Sequence, residues 1–282
     1  MGEWFIAEIH KVTIATKAKA HEAYRWRRYS TPQSLARFVA YLVTVIVLTW
    51  ALRTITVFWP WVWDAPREIR DMVTRMFPPA TAQLPGIITA VIETINIATM
   101  GTAIAVVLAL PVAYIGASNV TPGRPLLLIG KFIIVATRSV DTLIWALLFV
   151  AIFGPGAVAG IVAIAFRSIG FLGKLIGEAI EEVDWGPVEA LQAVGASPAH
   201  VLIYGVAPQV FPAFMTVAIL RWDVNIREST VLGLVGAGGI GFILQVAIDT
   251  FRWNTVATVL ISILAVVFLA EFVTGYLRRK VI

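Results

Sequence analysis

Long apolar stretches separated by short polar segments dominate the pattern of this chain. A helix needs about 20 mostly apolar residues to cross a hydrocarbon core of roughly 30 Å. Several stretches meet that length, so the pattern predicts an all-α integral membrane protein with six transmembrane helices. The predicted spans are residues 37–60, 87–116, 128–153, 157–178, 208–227 and 255–277.

Two polar segments between the predicted spans differ in character. Residues 64–75 carry mixed charges after a Trp-rich stretch and are predicted to form a loop. Residues 178–206, between the fourth and fifth spans, are amphipathic and too polar to cross a membrane. Turn signals interrupt them at Gly186-Pro187 and between Gly195 and Pro198. We therefore expect two short helices there that lie outside the membrane.

Composition and charge support a membrane location. The 282 residues are 59% hydrophobic and 14% charged, whereas soluble domains are about a quarter charged. Basic residues concentrate in the first 37 residues and in Arg278-Arg279-Lys280, which fits the cytoplasmic face of a bilayer better than nucleic acid. Since six spans put both ends on one side, we expect both termini in the cytoplasm. Residues 1–36 are then a basic cytoplasmic N-terminal extension, and residues 37–282 the transmembrane domain.

The glycine-rich stretch VLGLVGAGGIGFI, residues 231–243, contains a G-x-G-x-x-G pattern. A dinucleotide-binding fingerprint needs a strand before it, a helix after it and an acid about 20 residues further on. Here the residues at that distance are apolar, and no alternating strands and helices surround the pattern. The sequence instead predicts a structural bend in which glycine permits non-helical backbone shielded from lipid. The predicted bend residues are Gly236, Gly238, Gly239 and Gly241.

Ionisable and amide side chains occur inside the predicted spans, where they are costly and usually face a cavity or a partner. The candidates for a translocation path or oxyanion contact are Arg167, Ser168, Arg221, Asn225 and Arg227. Arg221 aligns with Asn225 at i,i+4, and Asp223 aligns with Arg227. A tetrahedral oxyanion is bound well by Arg forks and amide donors. The alternative is that these side chains form internal ion pairs and helix contacts.

The sequence offers no catalytic residues and no metal site. It contains no Cys, and its three His residues are too scattered to share a metal. It has no Ser–His–acid arrangement and no G-x-x-x-x-G-K-[ST] phosphate loop. We therefore expect a chain that is not an enzyme and binds no cofactor of its own.

The most informative stretch for function is EALQAVGASPAHVLIYGVAP, residues 189–208. It resembles the EAA signature of ABC importer membrane subunits in the spacing of its Glu, Gly and Pro, although Leu191, Gly205 and Ala207 depart from the common pattern. The resemblance implies a short helix seated in a cleft of an ATPase subunit. The ATPase-coupling residues that it implies are Glu189, Ala190, Gly195, Ala196 and Pro208. The alternative is an ordinary amphipathic helix at the lipid surface, which should be basic, whereas this one is acidic.

Four further blocks resemble phosphonate-type permeases of the methionine-importer-like group. They are RSVDTLIWALLF (138–149), RSIGFLGKLIGEAIEEVD (167–184), YGVAPQVFP (204–212) and RWDVNIRESTVLGLVGAGGIG (221–241). The last block is the most specific, because GAGGIG is shared widely in that group and the preceding N-I-R is more typical of phosphorus-oxyanion systems. One departure is Asp141, where these permeases often have Pro.

The resemblance implies a type I ABC importer permease of the bacterial inner membrane for phosphonate, phosphate or phosphite. Two copies would form the path, a separate ATPase would bind ATP and Mg, and a periplasmic or lipid-anchored binding protein would deliver substrate near the four glycines. Membrane lipid would surround it, and nucleic acid is not expected. One rival is an ion-coupled secondary transporter with Arg167 and Asp223 as its polar core. Another is a membrane enzyme acting on phosphorylated lipid, which would need clustered His, Asp or Glu.

Overall fold

The computed structural model describes residues 31–281 together with His10 and Thr13. Apart from these two residues, residues 1–30 of the predicted N-terminal extension therefore lie outside the described part of the chain. Regular structure within residues 31–281 is helical, without strands. In chain order the helices are α1 (Thr31–Thr54), α2 (Trp59–Met76), α3 (Leu84–Gly116), α4 (Arg124–Ser139), α5 (Thr142–Phe153), α6 (Ala157–Glu181), α7 (Trp185–Ala193), α8 (Ala207–Leu232), α9 (Ile240–Asp249) and α10 (Trp253–Val281).

Five helical segments in the described part of the chain are long and apolar enough to cross a membrane. They are Pro32–Thr54, Thr81–Gly116, Ala157–Glu181, Pro198–Val235 and Trp253–Lys280. A sixth span results if the bent pair α4 and α5 is counted as one crossing. The prediction of an all-α protein with six apolar spans is confirmed in this sense.

The third span is broken, so the prediction of one continuous helix over residues 128–153 is wrong. Helices α4 and α5 meet at an angle of 91°. Val140 and Asp141 have extended backbone, with ψ of 140° and 152°, and this ends α4. Asp141 then caps α5, because its Oδ1 accepts a hydrogen bond from the Leu143 N–H at 3.0 Å. The residue that departs from the family pattern therefore begins the second half of a broken span.

Residues 64–75 also differ from the prediction, since they belong to helix α2 rather than to a loop. Their mixed charges occupy one face of an amphipathic helix, where Arg75 and Asp71 form an i,i+4 ion pair at 2.6 Å. Mixed charge alone does not distinguish a polar loop from the polar face of a helix.

Only one of the two short helices predicted within residues 178–206 is separate. Helix α7 is independent, but Pro198–His200 continues through a π-helical turn, Val201–Val206, into α8. The second short helix is therefore an extension of the fifth span. This continuity joins the segment before the span directly to the span itself.

The chain divides into two compact units, Met1–Ala65 and Pro66–Ile282. In the first unit, α1 exposes its large apolar side chains along its length, as a lipid-facing helix does. The centre of the second unit is the contact between α3 and α6. Small residues on α3 recur every three or four positions and allow close approach of the two helices. They are Ala98, Gly101, Ala105, Ala109 and Ala113.

Candidate functional site

A group of polar side chains lies inside the second unit, where α8 passes α3, α6 and the start of α5. We call it the central cluster: Thr102, Thr142, Ser168, Arg221, Asn225 and Glu228. Arg221, Asn225 and Glu228 share one face of α8 because they are four and three residues apart. Ser168 and Asn225 are fully buried, and Arg221 is 3% exposed.

Hydrogen bonds connect the predicted members of this cluster. Arg221 Nε donates to Ser168 Oγ at 2.9 Å. Asn225 Nδ2 donates to Thr102 Oγ1 at 2.7 Å and lies 3.2 Å from Ser168 Oγ. The structure therefore brings Ser168, Arg221 and Asn225 together, as the alignment of Arg221 with Asn225 suggested.

A carboxylate that the sequence analysis did not single out balances the Arg221 charge. Arg221 Nη2 donates to Glu228 Oε2 at 3.1 Å, and Thr142 Oγ1 donates to the same oxygen at 2.7 Å. Because a buried charge without a partner is strongly destabilising, Glu228 allows Arg221 to stay buried. The seven-residue spacing from Arg221 to Glu228, which places both on one helix face, was the available signal for this pair.

Arg167 lies beside the central cluster, at the break between α4 and α5. Its Nη1 donates to Asp141 Oδ2 at 2.8 Å. The side chains are 27% and 60% exposed, respectively, so this pair is less enclosed than the central cluster. Asp141 therefore both caps α5 and neutralises Arg167.

Arg227 is the one predicted path residue of α8 that the structure places apart. It forms an ion pair with Asp223, one turn earlier, and its side chain is 49% exposed. The i,i+4 pairing of Asp223 with Arg227 is confirmed, but at about 100° per residue Arg227 lies on a different face from Arg221. A role for Arg227 in transport stays a prediction. Arg167 and Asp223, the polar core of the secondary-transporter alternative, have different partners and form no shared core.

Helix α7, which carries the predicted coupling residues, ends at a glycine. Gly195 has φ +80°, a conformation that L side chains rarely adopt. Its N–H donates to the Gln192 carbonyl at 3.0 Å, and the Ala196 N–H donates to the Leu191 carbonyl at 3.1 Å. These two bonds form a Schellman motif. The structure thus gives Gly195 the turn-forming place that the sequence indicated.

Helix α7 is fastened to the base of α8 by Gln209. The Nε2 of Gln209 donates to the carbonyls of Asp184 and Gly205 at 3.1 and 2.8 Å, and its Oε1 accepts from the Asp184 N–H at 3.1 Å. Val188, 1% exposed, packs in the same apolar core as Val206. These contacts give α7 and α8 a rigid connection. Gln209 carried no signal in the sequence analysis, because its role depends on tertiary contacts.

The opposite side of α7 faces outward. Glu189, Ala190 and the more distant Pro208 are exposed, and Ala196 is half-buried. Val194, at the end of the helix, is 80% exposed. Helix α7 is therefore exposed on one side and rigidly attached to α8 on the other. Such a helix can bind a partner on its exposed side and transmit the partner's displacement to α8.

The glycine-rich stretch forms the predicted bend. Gly236, Gly238 and Gly239 have φ of 83°, 83° and 75°, whereas Gly241 lies in the first turn of α9. A helix and a 3-10 turn precede the bend, where a dinucleotide fingerprint requires a strand. The pattern is therefore a shaped connection between α8 and α9.

Buried hydrogen bonds hold this bend against neighbouring helices. The Ile240 N–H donates to Thr94 Oγ1 at 2.8 Å, and the Gly156 N–H donates to the Gly236 carbonyl at 2.9 Å. The bend is consequently tied to α3 and to the start of α6.

Comparison with known proteins identifies similar sequences and a similar fold. Residues 105–282 match the family described as "Binding-protein-dependent transport system inner membrane component". The phosphite transport system permease protein PtxC of Stutzerimonas stutzeri is 43% identical over 212 residues, which are 75% of this chain and 77% of that protein. The phosphate-import permease protein PhnE of Mycolicibacterium smegmatis is 39% identical over 210 residues, 74% of this chain but 40% of that protein.

A solved structure shares the architecture. A chain of the inward-facing MetNI methionine ABC transporter matches with a TM-score of 0.63 and 23% identity, covering 72% of this chain and 99% of that one. This likeness shows the fold of a type I ABC importer permease.

Proposed function

Because this chain belongs to the family of binding-protein-dependent transport system inner membrane components, we propose that its cargo is a phosphorus oxyanion: phosphite, phosphate or a phosphonate. The chain is a non-catalytic permease subunit of an ABC importer. The observation that carries the cargo proposal is the buried Arg221, which donates to Ser168 next to the Asn225 amide, beside a broken span. The names of the phosphite and phosphate permeases among its relatives support the same cargo.

The chemistry of the central cluster suits exchange of one anion for another. In this structure the Glu228 carboxylate accepts the hydrogen bond of Arg221, and the Glu228 side chain is 22% exposed whereas that of Arg221 is 3% exposed. An arriving oxyanion meets Glu228 first. Since an oxyanion in its place also neutralises Arg221, the guanidinium need never be left buried without a counter-charge. We propose that the cargo passes by transient replacement of Glu228.

Uptake by reconstituted vesicles tests the cargo directly. We expect the permease, with its cognate ATPase and binding protein, to accumulate at least one of labelled phosphite, methylphosphonate and phosphate when ATP is supplied. Sulfate, a tetrahedral oxyanion without phosphorus, is the matched control and should not accumulate. ATP hydrolysis without uptake of any of the three phosphorus compounds would remove the cargo proposal and leave only the importer assignment.

We propose that two copies of this chain form the translocation path and that each copy binds an ATPase subunit through its helix α7. ATP and Mg bind only to that ATPase. Each chain offers a single segment of the α7 type among its described residues, which fits one motor contact per copy. A heteromeric pair is the alternative. The mass of the purified complex by native mass spectrometry, which would show either two identical permease chains or two different ones, decides between them.

We propose that α7 and both termini face the cytoplasm and that the glycine bend faces the binding protein outside. The support is geometric: α7 contacts the base of α8, and the bend follows the other end of α8, about 39 Å away along the helix at 1.5 Å per residue. The chain has no Cys, so single cysteines can report the orientation. A membrane-impermeant maleimide is applied to Val194→Cys, at the end of α7, and to Phe251→Cys, between α9 and α10. Labelling of Val194→Cys in intact cells would reverse the proposed orientation.

Charge reversal on α7 should weaken binding of the ATPase subunit and so uncouple ATP hydrolysis from transport. We expect Glu189→Lys to lower the affinity of the permease for the ATPase subunit about tenfold or more, because a wrong charge at an interface costs several kcal/mol. The side chain is exposed, so the unfolding temperature should not change. Co-purification of the ATPase and ATP-driven uptake are the measurements.

The matched control for this variant is Glu182→Lys, which reverses an exposed carboxylate just after α6 and outside the α7 helix. We expect it to retain both the ATPase and uptake. Equal loss in the two variants would show that general surface charge, and not the α7 helix, holds the ATPase.

A further inference from the structure

An open groove of about 520 Å³ lies between α4 and α6, toward the end of α6 that leads to α7. Its charged lining consists of three basic and two acidic side chains, over a floor that includes Ile134 and Gly173. The charged residues are Lys131, Arg138, Lys174, Glu178 and Glu181. None of them was predicted from the sequence to belong to a site.

Helical spacing arranges the basic side chains as a track. Lys131 and Arg138 are seven residues apart on α4, and Arg167 and Lys174 are seven apart on α6, so each pair shares a helix face. The two faces meet at Gly170, where an added Cβ would lie 2.8 Å from Arg138 Cγ. Gly170 falls between Arg167 and Lys174, so Arg138 reaches α6 between these two cations. The track therefore leads from the Arg167–Asp141 pair, beside the central cluster, toward the coupling end.

The charges of the groove are incompletely balanced, in contrast to those of the central cluster. Arg221 and Arg167 each have a carboxylate partner, at 3.1 and 2.8 Å. In the groove, Lys174 pairs with Glu178 at 3.4 Å. Among the described residues, no carboxylate lies within the 4.0 Å ion-pair distance of Lys131 or Arg138.

The acidic side chains of the groove already have partners of their own. Glu178 pairs with Lys174, and Glu181 Oε1 accepts hydrogen bonds from both the N–H and the Oγ of Ser118, each at 2.7 Å. Ser118 is neutral, so Glu181 keeps its negative charge and attracts Lys131 from beyond the ion-pair distance. Three basic side chains against two acidic ones still leave the groove with one excess positive charge.

Lys131 and Arg138 lie within α4, where a positive charge without a counter-anion costs free energy. Measured along α4 from Arg124, Lys131 lies about 10 Å and Arg138 about 21 Å into the helix, and α4 is the first half of a membrane span. Ionisable groups at such depth face a cavity or a partner of opposite charge. The groove supplies the cavity, and none of the described carboxylates lies close enough to Arg138 to supply the partner.

We propose that this groove binds a phosphorus oxyanion through Lys131, Arg138 and Lys174. This inference rests on the proposed function, and its first source for the ligand is the cargo on its way from the central cluster to the cytoplasm. The phosphodiester group of an anionic lipid has the same binding chemistry and is the second source. Charge-assisted contacts from Arg and Lys suit both, so the experiment must separate them.

The test compares uptake by the double variant Lys131→Gln/Arg138→Gln with uptake by wild type in two kinds of vesicle. One kind is phosphatidylcholine alone, and the other contains phosphatidylglycerol as well. We expect the maximal rate to fall about tenfold or more in both, since losing each charge-assisted contact weakens binding about tenfold or more. The KM should not change, because capture by the binding protein precedes the groove. The matched control is Arg124→Gln, which removes an exposed cation of α4 outside the groove.

The possible outcomes separate the two sources from each other and from failure. A defect only in phosphatidylglycerol vesicles supports the same oxyanion site with a lipid headgroup as its ligand. Wild-type rates in both vesicles overturn the inference. A charge-exchanged variant, Lys131→Arg/Arg138→Lys, should restore the rate, and its failure together with a lowered unfolding temperature would show a merely structural role.

Direct binding keeps this inference distinguishable from the proposed function. Equilibrium dialysis of labelled inorganic phosphate against the purified permease should show weaker binding to Lys131→Gln/Arg138→Gln than to wild type or Arg124→Gln. If wild-type vesicles take up no phosphorus oxyanion, the proposed function fails. Equal phosphate binding by all three proteins, with an equal response to phosphatidylglycerol, would instead remove the groove site.

Discussion

Replacing Arg221 with Met is expected to abolish uptake and to lower the free energy of unfolding by about 3–5 kcal/mol. The change leaves Glu228 without its cation while Thr142 is its remaining hydrogen-bond donor. It also removes one of the two donors to the buried Ser168 Oγ, the other being Asn225 Nδ2. Vesicle uptake measures the first effect, and thermal unfolding followed by tryptophan fluorescence measures the second.

A second variant separates folding from transport at this position. In Arg221→Met/Glu228→Gln both charges are removed, so most of the lost stability should return, because an uncharged pair leaves no uncompensated buried charge. Uptake should stay absent, since no guanidinium remains for the oxyanion. Arg252→Met, which removes an exposed Arg, controls for loss of one positive charge and should transport normally. Recovery of uptake in the double variant would show that Arg221 serves only the fold.

The apolar spans could be predicted from the sequence because membrane insertion depends on the summed hydrophobicity of about 20 residues. The glycine bend was predictable for a related reason: several glycines in one short apolar stretch favour backbone conformations that other residues avoid. The end of α7 at Gly195 followed from the same preference. Each of these features depends mainly on local sequence.

The features that sequence reasoning missed depend on single side chains or on tertiary partners. The break of the third span lies at Asp141, whose carboxylate caps the new helix α5. Hydropathy averaged over a span does not register one such residue. Helix α2 was missed because its charged face resembles a polar loop when periodicity is ignored.

The residues of the candidate site were predicted better than their arrangement. Ser168, Arg221 and Asn225 do meet, but Arg221 and Arg227 were predicted to share one role, and the structure places them on different faces of α8. The choice of Glu228 as the Arg221 partner depends on how α5, α6 and α8 pack. An i,i+7 search for acids around each intramembrane Arg would have found Glu228.

Gly239→Ala is expected to destabilise the fold by roughly 2–5 kcal/mol, the combined cost of backbone strain and overpacking. Gly239 has φ 75° and ψ −167°, a conformation essentially restricted to glycine. An added Cβ would also lie 2.5 Å from Thr94 Oγ1. That hydroxyl accepts the Ile240 N–H and donates to the Ala90 carbonyl, both at 2.8 Å. The unfolding temperature and the yield of folded permease are the measurements.

The matched control is Gly86→Ala on the same helix as Thr94. An added Cβ at Gly86 meets nothing within 4 Å, so helix propensity should make this variant neutral or about 1 kcal/mol more stable. An unfolding temperature for Gly239→Ala equal to that of Gly86→Ala would contradict the expectation.

The double variant Thr94→Ala/Gly239→Ala separates the two costs. Removing the hydroxyl relieves the steric clash but leaves the backbone strain and deprives the buried Ile240 N–H of its acceptor. If the clash dominates, the double variant should be more stable than Gly239→Ala alone. If strain dominates, it should be less stable, because the lost hydrogen bond adds to an unchanged cost. In either case, the ranking of the two variants shows which feature of the connection between α8 and α9 requires glycine at position 239.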